Sequence, residues 1–214
     1  MTRRRRLEWA EGRTVDLEEE GDGPSAIVLA HGAGAGQQHP FMAGMRRRLA
    51  ASQRVITFDY PYIAEGRRAP DRMPVLLACH RAVVDAIDAE RLVLGGKSMG
   101  GRMASHLDAP DAVALFFLGY PLVGIGKSEP RDTGHLEEIT APMLFVQGER
   151  DRLGPPDLLA PVIGRLASAS MVVVPDADHS FKVPKRTGID DAAMLDLLAE
   201  TILGWLASQA GGGS

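Results

Sequence analysis

The sequence predicts an α/β fold in which a mostly parallel, doubly wound sheet is flanked by helices and carries no lid domain. Short apolar runs of the kind that form strands buried on both faces recur along the chain. They alternate with segments whose apolar residues return every three or four positions, as in amphipathic helices. The 214 residues suffice for one domain with a sizeable core, and no internal repeat is visible.

The strands are predicted in chain order. Residues 5–10 and 13–19 alternate loosely between polar and apolar side chains, which indicates a peripheral antiparallel pair. Buried strands are expected at 25–30, 55–58, 92–95, 112–118, 142–146 and 171–174. Because parallel sheets bind ligands at the carboxyl ends of their strands, the chemistry is expected just after these segments.

Helices are predicted from Pro40, near Pro74, over 156–167 and at the end of the chain. In the first helix, the three arginines at 46–48 are expected to face water mostly. In the last helix, Asp190 or Asp191 can cap the start. The apolar stripe of that helix is expected to comprise Met194, Leu197, Leu198, Ile202, Trp205 and Leu206.

The domain is expected to cover residues 1–209, followed by a flexible, linker-like tail at 210–214 that ends in Gly-Gly-Gly-Ser. Residues Arg3 to Arg6 are interpreted as a solvated strand edge or a frayed terminus.

Composition narrows the function. Apolar residues make up 45% and charged residues 24%, which is ordinary for a globular protein. The net charge of -4 argues against general binding to nucleic acid or to anionic membranes. No apolar run approaches the length of a membrane span. The lone cysteine, Cys79, is expected to serve packing, and its lack of a disulfide partner suits a reducing cytoplasm.

The segment Gly96-Lys97-Ser98-Met99-Gly100 has the G-x-S-x-G form of a nucleophile elbow and lies between a predicted strand and a predicted helix. Such a turn would lift the Ser98 hydroxyl above the sheet and point the first helical N–H groups at the same place. A phosphate-binding loop would need glycine five positions before Gly96, where the sequence has Arg91. The elbow is therefore the favoured interpretation.

An elbow serine needs an acid and then a histidine later in the chain. Asp151 follows the strand that ends at residue 146, and His179 follows the strand that ends at 174. His179 would accept the serine proton, and the acid would orient the imidazole. Glu149 competes with Asp151 for the acid role, but Asp151 is favoured because it lies further past the strand. Asp176 and Asp178 are interpreted as turn residues.

Two N–H donors are needed for an oxyanion hole. Met99 is expected to supply one, and the glycine-rich loop after residue 30 the other, through Ala33 or else Gly34. That loop could also suggest a dinucleotide fingerprint, but Gln37 occupies the third glycine position.

With these residues identified, the chain resembles the α/β-hydrolases, and more narrowly the small hydrolases of the KANL3/Tex30 type, which are related to the dienelactone hydrolase group. The matching segments are 31–35, 58–61, 95–102, 119–122, 144–148 and 178–181. The resemblance implies a triad of Ser98, Asp151 and His179, with no metal and no organic cofactor. It does not imply a substrate.

The expected activity is hydrolysis of a small carboxylic ester or thioester through an acyl-enzyme, and the alternative is a catalytically silent interaction scaffold. Lys97, Gly34 and Tyr60 are candidate substrate-binding residues. Lys97 has two interpretations: its ammonium reaches solvent along the elbow helix, or it lies near the pocket rim and favours acidic acyl groups.

Overall fold

A computed structural model describes residues 1–211 and contains one sheet of eight strands. The strands are β1 Arg3–Ala10, β2 Arg13–Glu20, β3 Ser25–Ala30, β4 Arg54–Phe58, β5 Arg91–Lys97, β6 Ala112–Leu118, β7 Met143–Gly148 and β8 Ala169–Val174. Their spatial order is β1-β2-β4-β3-β5-β6-β7-β8. The expected α/β-hydrolase architecture is confirmed.

Six of the strands, β3 to β8, run parallel to one another. β1 and β2 form the antiparallel pair that the alternating pattern predicts, and β2 continues antiparallel onto β4. β5 lies inside the sheet between β3 and β6, whereas β8 pairs with β7 at one end of the sheet. The carboxyl ends of β5, β7 and β8 therefore lie along one edge.

The helices are α1 Pro40–Leu49, α2 Pro61–Ala64, α3 Met73–Asp85, α4 Met99–Ser105, α5 Pro156–Ile163 and α6 Asp191–Gly211. A proline lies in the first turn of α1, α2, α3 and α5, where its missing N–H costs no helical hydrogen bond. Asp190 caps α6 as predicted, because its Oδ1 accepts a hydrogen bond of 2.8 Å from the Ala193 N–H.

Apolar side chains fill both faces of the sheet, so the core has two layers. One layer receives residues of α3, α4 and α5, such as Val83, Met103 and Leu159. The other receives residues of α1 and α6, such as Met45 and Ile202. Cys79 is fully buried in the first layer, in keeping with a packing role.

Two expectations about side-chain exposure are wrong. Arg46 does not face water, because α1 packs on β4 and the guanidinium binds the Glu18 carboxylate at 2.7 Å and the Thr57 hydroxyl at 2.9 Å. Arg47 does face water. Leu197, predicted for the buried stripe of α6, is 41% exposed because it lies to one side of the face that meets the sheet.

The connection between β6 and β7 is mostly irregular. Residues 119–142, all described, contain a short 3-10 helix at Gly134–Glu138 and otherwise turns and irregular loop.

At the end of the chain, α6 continues to Gly211, two residues into the expected tail, and residues 212–214 lie outside the described part. Among the described helices, none is both long and apolar enough to cross a bilayer.

Candidate active site

Ser98 sits at a strained turn between β5 and α4. Its backbone has φ 50° and ψ −115°, a conformation that is costly for a residue with a side chain and that is typical of functional turns. The flanking glycines permit the turn, since a Cβ on Gly96 would lie 2.2 Å from the Gly101 nitrogen and one on Gly100 would lie 2.3 Å from the Ala30 carbonyl oxygen. The segment therefore has the geometry of a nucleophile elbow.

The structure brings Ser98, His179 and Asp151 together. His179 Nε2 lies 2.8 Å from Ser98 Oγ, and His179 Nδ1 lies 2.7 Å from Asp151 Oδ2. Both distances are within hydrogen-bonding range. When the carboxylate accepts a hydrogen bond from Nδ1–H, that proton stays on Nδ1, and Nε2 is free to accept a proton from the serine. The three side chains therefore form a continuous chain from hydroxyl to carboxylate.

The Asp151 carboxylate is buried and bound by several donors. Its Oδ1 accepts hydrogen bonds from the N–H groups of Leu153 at 2.8 Å and Gly154 at 3.1 Å. Its Oδ2 accepts a bond of 2.7 Å from Gln147 Nε2 in addition to its contact with His179. These bonds fix the carboxylate in one orientation and compensate for its removal from water.

Gln147 contacts the predicted acid, and the sequence reasoning did not single it out. It is fully buried at the end of β7, and its Oε1 accepts a 2.9 Å hydrogen bond from the Tyr120 N–H while its amide nitrogen donates to Asp151. The sequence feature that could have identified Gln147 is its polar side chain near the end of an otherwise apolar strand, four residues before Asp151.

Glu149, the competing acid, lies elsewhere. Its carboxylate accepts a 2.7 Å hydrogen bond from the Asp176 N–H and so helps to hold the loop after β8. Asp178 is a turn residue, because its Oδ1 accepts hydrogen bonds from the N–H groups of Ser180 at 2.8 Å and Lys182 at 2.9 Å. These bonds close the tight turn that carries His179.

The glycine-rich loop after β3 approaches the serine from the other side. A Cβ on Gly32 would lie 3.5 Å from Ser98 Cβ, and Ala33 lines the same cavity as the serine. Gly34 is exposed with φ 82°, a left-handed conformation that suits glycine. Met99 is the first residue of α4, so its N–H belongs to the helical turn that lacks intrahelical partners.

Of the candidate substrate-binding residues, Tyr60 lies away from the cavity and Lys97 lines it. Tyr60 is fully buried, with its hydroxyl 3.1 Å from His80 Nδ1, and the structure does not bring it to the cavity. Lys97 does line the cavity, but its ammonium does not extend to solvent along α4. Its Nζ donates a 2.6 Å hydrogen bond to the His179 carbonyl.

Among the remaining histidines, His31 packs in the interior. It is fully buried, and its Nε2 accepts a 3.0 Å hydrogen bond from the Tyr60 N–H. His106 and His135 stack with ring centroids 3.6 Å apart beside a separate cavity of about 390 Å³. That cavity contains none of the predicted site residues.

The cavity at Ser98 has a volume of about 540 Å³ and lies over the starts of α1 and α6. Apolar side chains from several elements form most of its wall: Phe41, Met42, Ile125, Leu153, Phe181, Met194 and Leu195. The rings of Phe41 and Phe181 are nearly parallel, with centroids 6.0 Å apart. A cavity of this size and character suits a small, largely apolar group next to the serine.

The parallel sheet, the elbow and the three converging side chains define an α/β-hydrolase fold with a serine at the nucleophile position. A model of the α/β-hydrolase domain family matches residues 23–207, so the chain belongs to this family.

Solved structures share the fold at low sequence identity. Est1E from Butyrivibrio proteoclasticus aligns with a TM-score of 0.76 and 14% identity, over 97% of this chain and 98% of that chain. A thermophilic esterase from Thermogutta terrifontis aligns at 0.75 and 17% identity, over 97% and 99%. An α/β serine hydrolase without lid from Xanthomonas campestris aligns at 0.73 and 17%, over 95% and 94%.

Proposed function

We propose that the protein is a serine hydrolase that cleaves a small carboxylic ester or thioester through an acyl-enzyme on Ser98. The observation that carries this proposal is the chain of contacts in which His179 lies 2.8 Å from Ser98 Oγ and 2.7 Å from Asp151 Oδ2. A serine hydroxyl is a weak nucleophile near neutral pH unless a neighbouring base accepts its proton. In this proposal His179 is that base and Asp151 is the acid that orients it.

In the first half of the reaction, Ser98 Oγ attacks the carbonyl carbon of the substrate while its proton passes to His179 Nε2. Asp151 stabilises the imidazolium and remains ionised. The tetrahedral intermediate then collapses, the bond from carbon to the alcohol or thiol breaks, and His179 returns the proton to the leaving group. The products of this half are the free alcohol or thiol and the acyl-enzyme.

In the second half, a water molecule takes the place of the leaving group. His179 accepts one water proton as the oxygen attacks the acyl carbon, and the bond to Ser98 Oγ breaks as the proton returns to that oxygen. The carboxylic acid is released and the serine is regenerated. His179 therefore accepts a proton and returns it in each half of the reaction.

The N–H groups of Met99 and Ala33 are proposed to stabilise the negative oxygen of both intermediates. Met99 opens α4 directly after the nucleophile, and Ala33 lies on the loop that approaches Ser98. Donors placed where charge develops stabilise the transition state more than the substrate. Gly34, next to Ala33, is the alternative second donor.

The substrate is proposed to be small, with a largely apolar acyl or alcohol group. The cavity volume of about 540 Å³ and its apolar wall support this. The motifs also support placement within the family among the KANL3/Tex30-type hydrolases, and the lone Cys79 supports a cytoplasmic location.

A labelled fluorophosphonate and p-nitrophenyl acetate test the proposal together. Wild-type protein should be labelled on Ser98 and should hydrolyse the ester, whereas Ser98→Ala should not be labelled and His179→Ala should lose turnover by about three orders of magnitude or more. Ser128→Ala, which alters an exposed loop serine, is the matched control and should behave as wild type. Equal labelling of wild type and Ser98→Ala, with no turnover by either, would favour the interaction scaffold.

A further inference from the structure

The side chain of Lys97 turns inward beneath the loop that carries His179. Its Nζ donates a hydrogen bond of 2.6 Å to the main-chain carbonyl of His179. The path is narrow, because a Cβ on Gly32 would lie 3.6 Å from Lys97 Cγ and one on Gly119 would lie 3.1 Å from Nζ. Two glycines therefore leave room for an ammonium group beside the proposed base.

The ammonium also lies close to the acid. The same Cβ position on Gly119 would be 3.4 Å from Asp151 Oδ2 and 3.4 Å from His179 Cε1, so Lys97, Asp151 and His179 surround one point of the β6 terminus. Burial lowers the pKa of Lys97 to about 8, against the opposing attraction of Asp151 and Asp178. Within the described chain, the His179 carbonyl is the hydrogen-bond acceptor of this ammonium.

The loop after β8 has an irregular backbone that several hydrogen bonds hold in place. Phe181 has φ 59°, a left-handed conformation that is unfavourable for an aromatic residue. The turn is tied on its outer side by Asp178, which accepts from Ser180 and Lys182. Lys97 ties the inner side, next to Ser98, and its Nζ also lies 5.5 Å from the Phe181 ring centroid.

We propose that Lys97 is a positioning residue, which binds the His179 carbonyl and thereby holds the imidazole at the distance from Ser98 that proton transfer requires. The proposal rests on the hydrolase function proposed above. It also replaces the expectation that Lys97 recognises acidic acyl groups, since the ammonium is already engaged by the main chain of the base.

The two roles have different kinetic consequences. His179 moves a proton in both halves of the reaction, so a displaced imidazole slows acylation and deacylation while substrate binding is kept. A shift of about 1 Å at a catalytic group costs about a hundredfold in rate. A lysine that bound a substrate carboxylate would instead raise KM, and only for anionic substrates.

Lys97→Met is the test, because methionine keeps much of the length and loses the charge and the donor. The substrates are p-nitrophenyl acetate and p-nitrophenyl hemisuccinate, one neutral and one anionic. We expect kcat to fall by about ten- to a hundredfold on both esters, with KM within about twofold of wild type. Lys185→Met, which alters an exposed lysine in the same loop region, should leave both constants unchanged.

The outcomes separate the two proposals. If Ser98→Ala is inactive while Lys97→Met keeps the wild-type kcat, the hydrolase function stands and the positioning role is overturned. A rise in KM confined to the hemisuccinate overturns it as well, in favour of acyl recognition. If Ser98→Ala and His179→Ala both retain full turnover, the hydrolase function itself fails. Should Lys97→Met not fold, Lys97→Leu provides the same comparison, because its side chain also has neither a charge nor a hydrogen-bond donor.

Discussion

Gln147→Leu is the perturbation that most directly tests how the acid is held. The amide of Gln147 bridges the Asp151 carboxylate and the Tyr120 N–H, with distances of 2.7 Å and 2.9 Å. Leucine has nearly the same volume but neither donates nor accepts a hydrogen bond. The substitution therefore removes these two buried hydrogen bonds, and a longer one of 3.5 Å from Nε2 to the Tyr120 carbonyl, with little change in packing.

The expected loss of stability follows from the polar groups that lose a hydrogen-bond partner. The Tyr120 N–H becomes a buried donor without its partner, which costs about 1–3 kcal/mol. The Asp151 carboxylate loses one of its donors but keeps the N–H groups of Leu153 and Gly154, and a hydrogen bond to a charged group contributes about 1.5–3 kcal/mol. The free energy of unfolding should fall by about 3–5 kcal/mol. A loosened Asp151 should also lower kcat by about tenfold, equivalent to about 1.4 kcal/mol in the barrier.

Urea denaturation gives the first quantity, and p-nitrophenyl acetate turnover by the folded variant gives the second. Thr57→Val is the matched control. It removes a buried hydroxyl that contacts Arg46 and Gln37 in another part of the sheet, at 2.9 Å in each case. It should lower stability and leave kcat unchanged. If Gln147→Leu loses less than about 1 kcal/mol and keeps the wild-type kcat, the view that this amide anchors the acid is wrong.

Three further predictions concern a buried histidine, a buried arginine and a leucine that lines the cavity. Burial lowers the pKa of His80 to about 3, so between about pH 6.5 and pH 3 only the unfolded chain binds its proton. The free energy of unfolding should fall with decreasing pH in that window, by at most about 1.4 kcal/mol per pH unit. Urea titrations at several pH values should show a smaller change of this free energy with pH for His80→Phe than for wild type. Arg46→Met removes one of the two arginines that bind the buried Glu18 carboxylate and leaves Arg4 as its partner, so it should cost about 1.5–3 kcal/mol in urea denaturation, whereas exposed Arg47→Met should change stability by less than about 0.5 kcal/mol. Leu195 lines the cavity and closes it between α1 and α6, so Leu195→Ala should raise kcat/KM for p-nitrophenyl decanoate relative to the butanoate by about tenfold, and an unchanged ratio would contradict this reading of the cavity.

Strands buried on both faces were the most predictable part of the fold. The segments Ser25–Ala30 and Ala112–Leu118 were predicted to the residue, because a strand covered on both sides is continuously apolar and ends where polar or turn residues begin. Boundaries set by less abrupt changes were less accurate. The helix predicted over 156–167 ends at Ile163, before Gly164, and the last strand begins at Ala169 instead of 171.

Partners that come from distant parts of the chain explain the errors. Nothing near Arg46 in the sequence indicates that β2 will place Glu18 beneath it, so three consecutive arginines look equally solvated. Gln147 has the same character, since its role depends on Tyr120 and Asp151 meeting around it. Tyr60 was selected because it follows a strand end, but its side chain turns into the core. Position along a strand predicts the edge that a residue reaches, whereas side-chain direction depends on the completed packing.

The strand that leads to Ser98, β5, has neighbours on both sides, whereas the strand that leads to His179, β8, lies at the end of the sheet and has one neighbour. Terminal strands open locally at a lower free energy than central ones. Amide hydrogens of β8 should therefore exchange before those of β5, and turnover should decline in urea concentrations at which most of the sheet still gives its native circular dichroism. Loss of activity would then indicate local opening of β8 and of the loop that carries His179, and global unfolding would follow as a separate event.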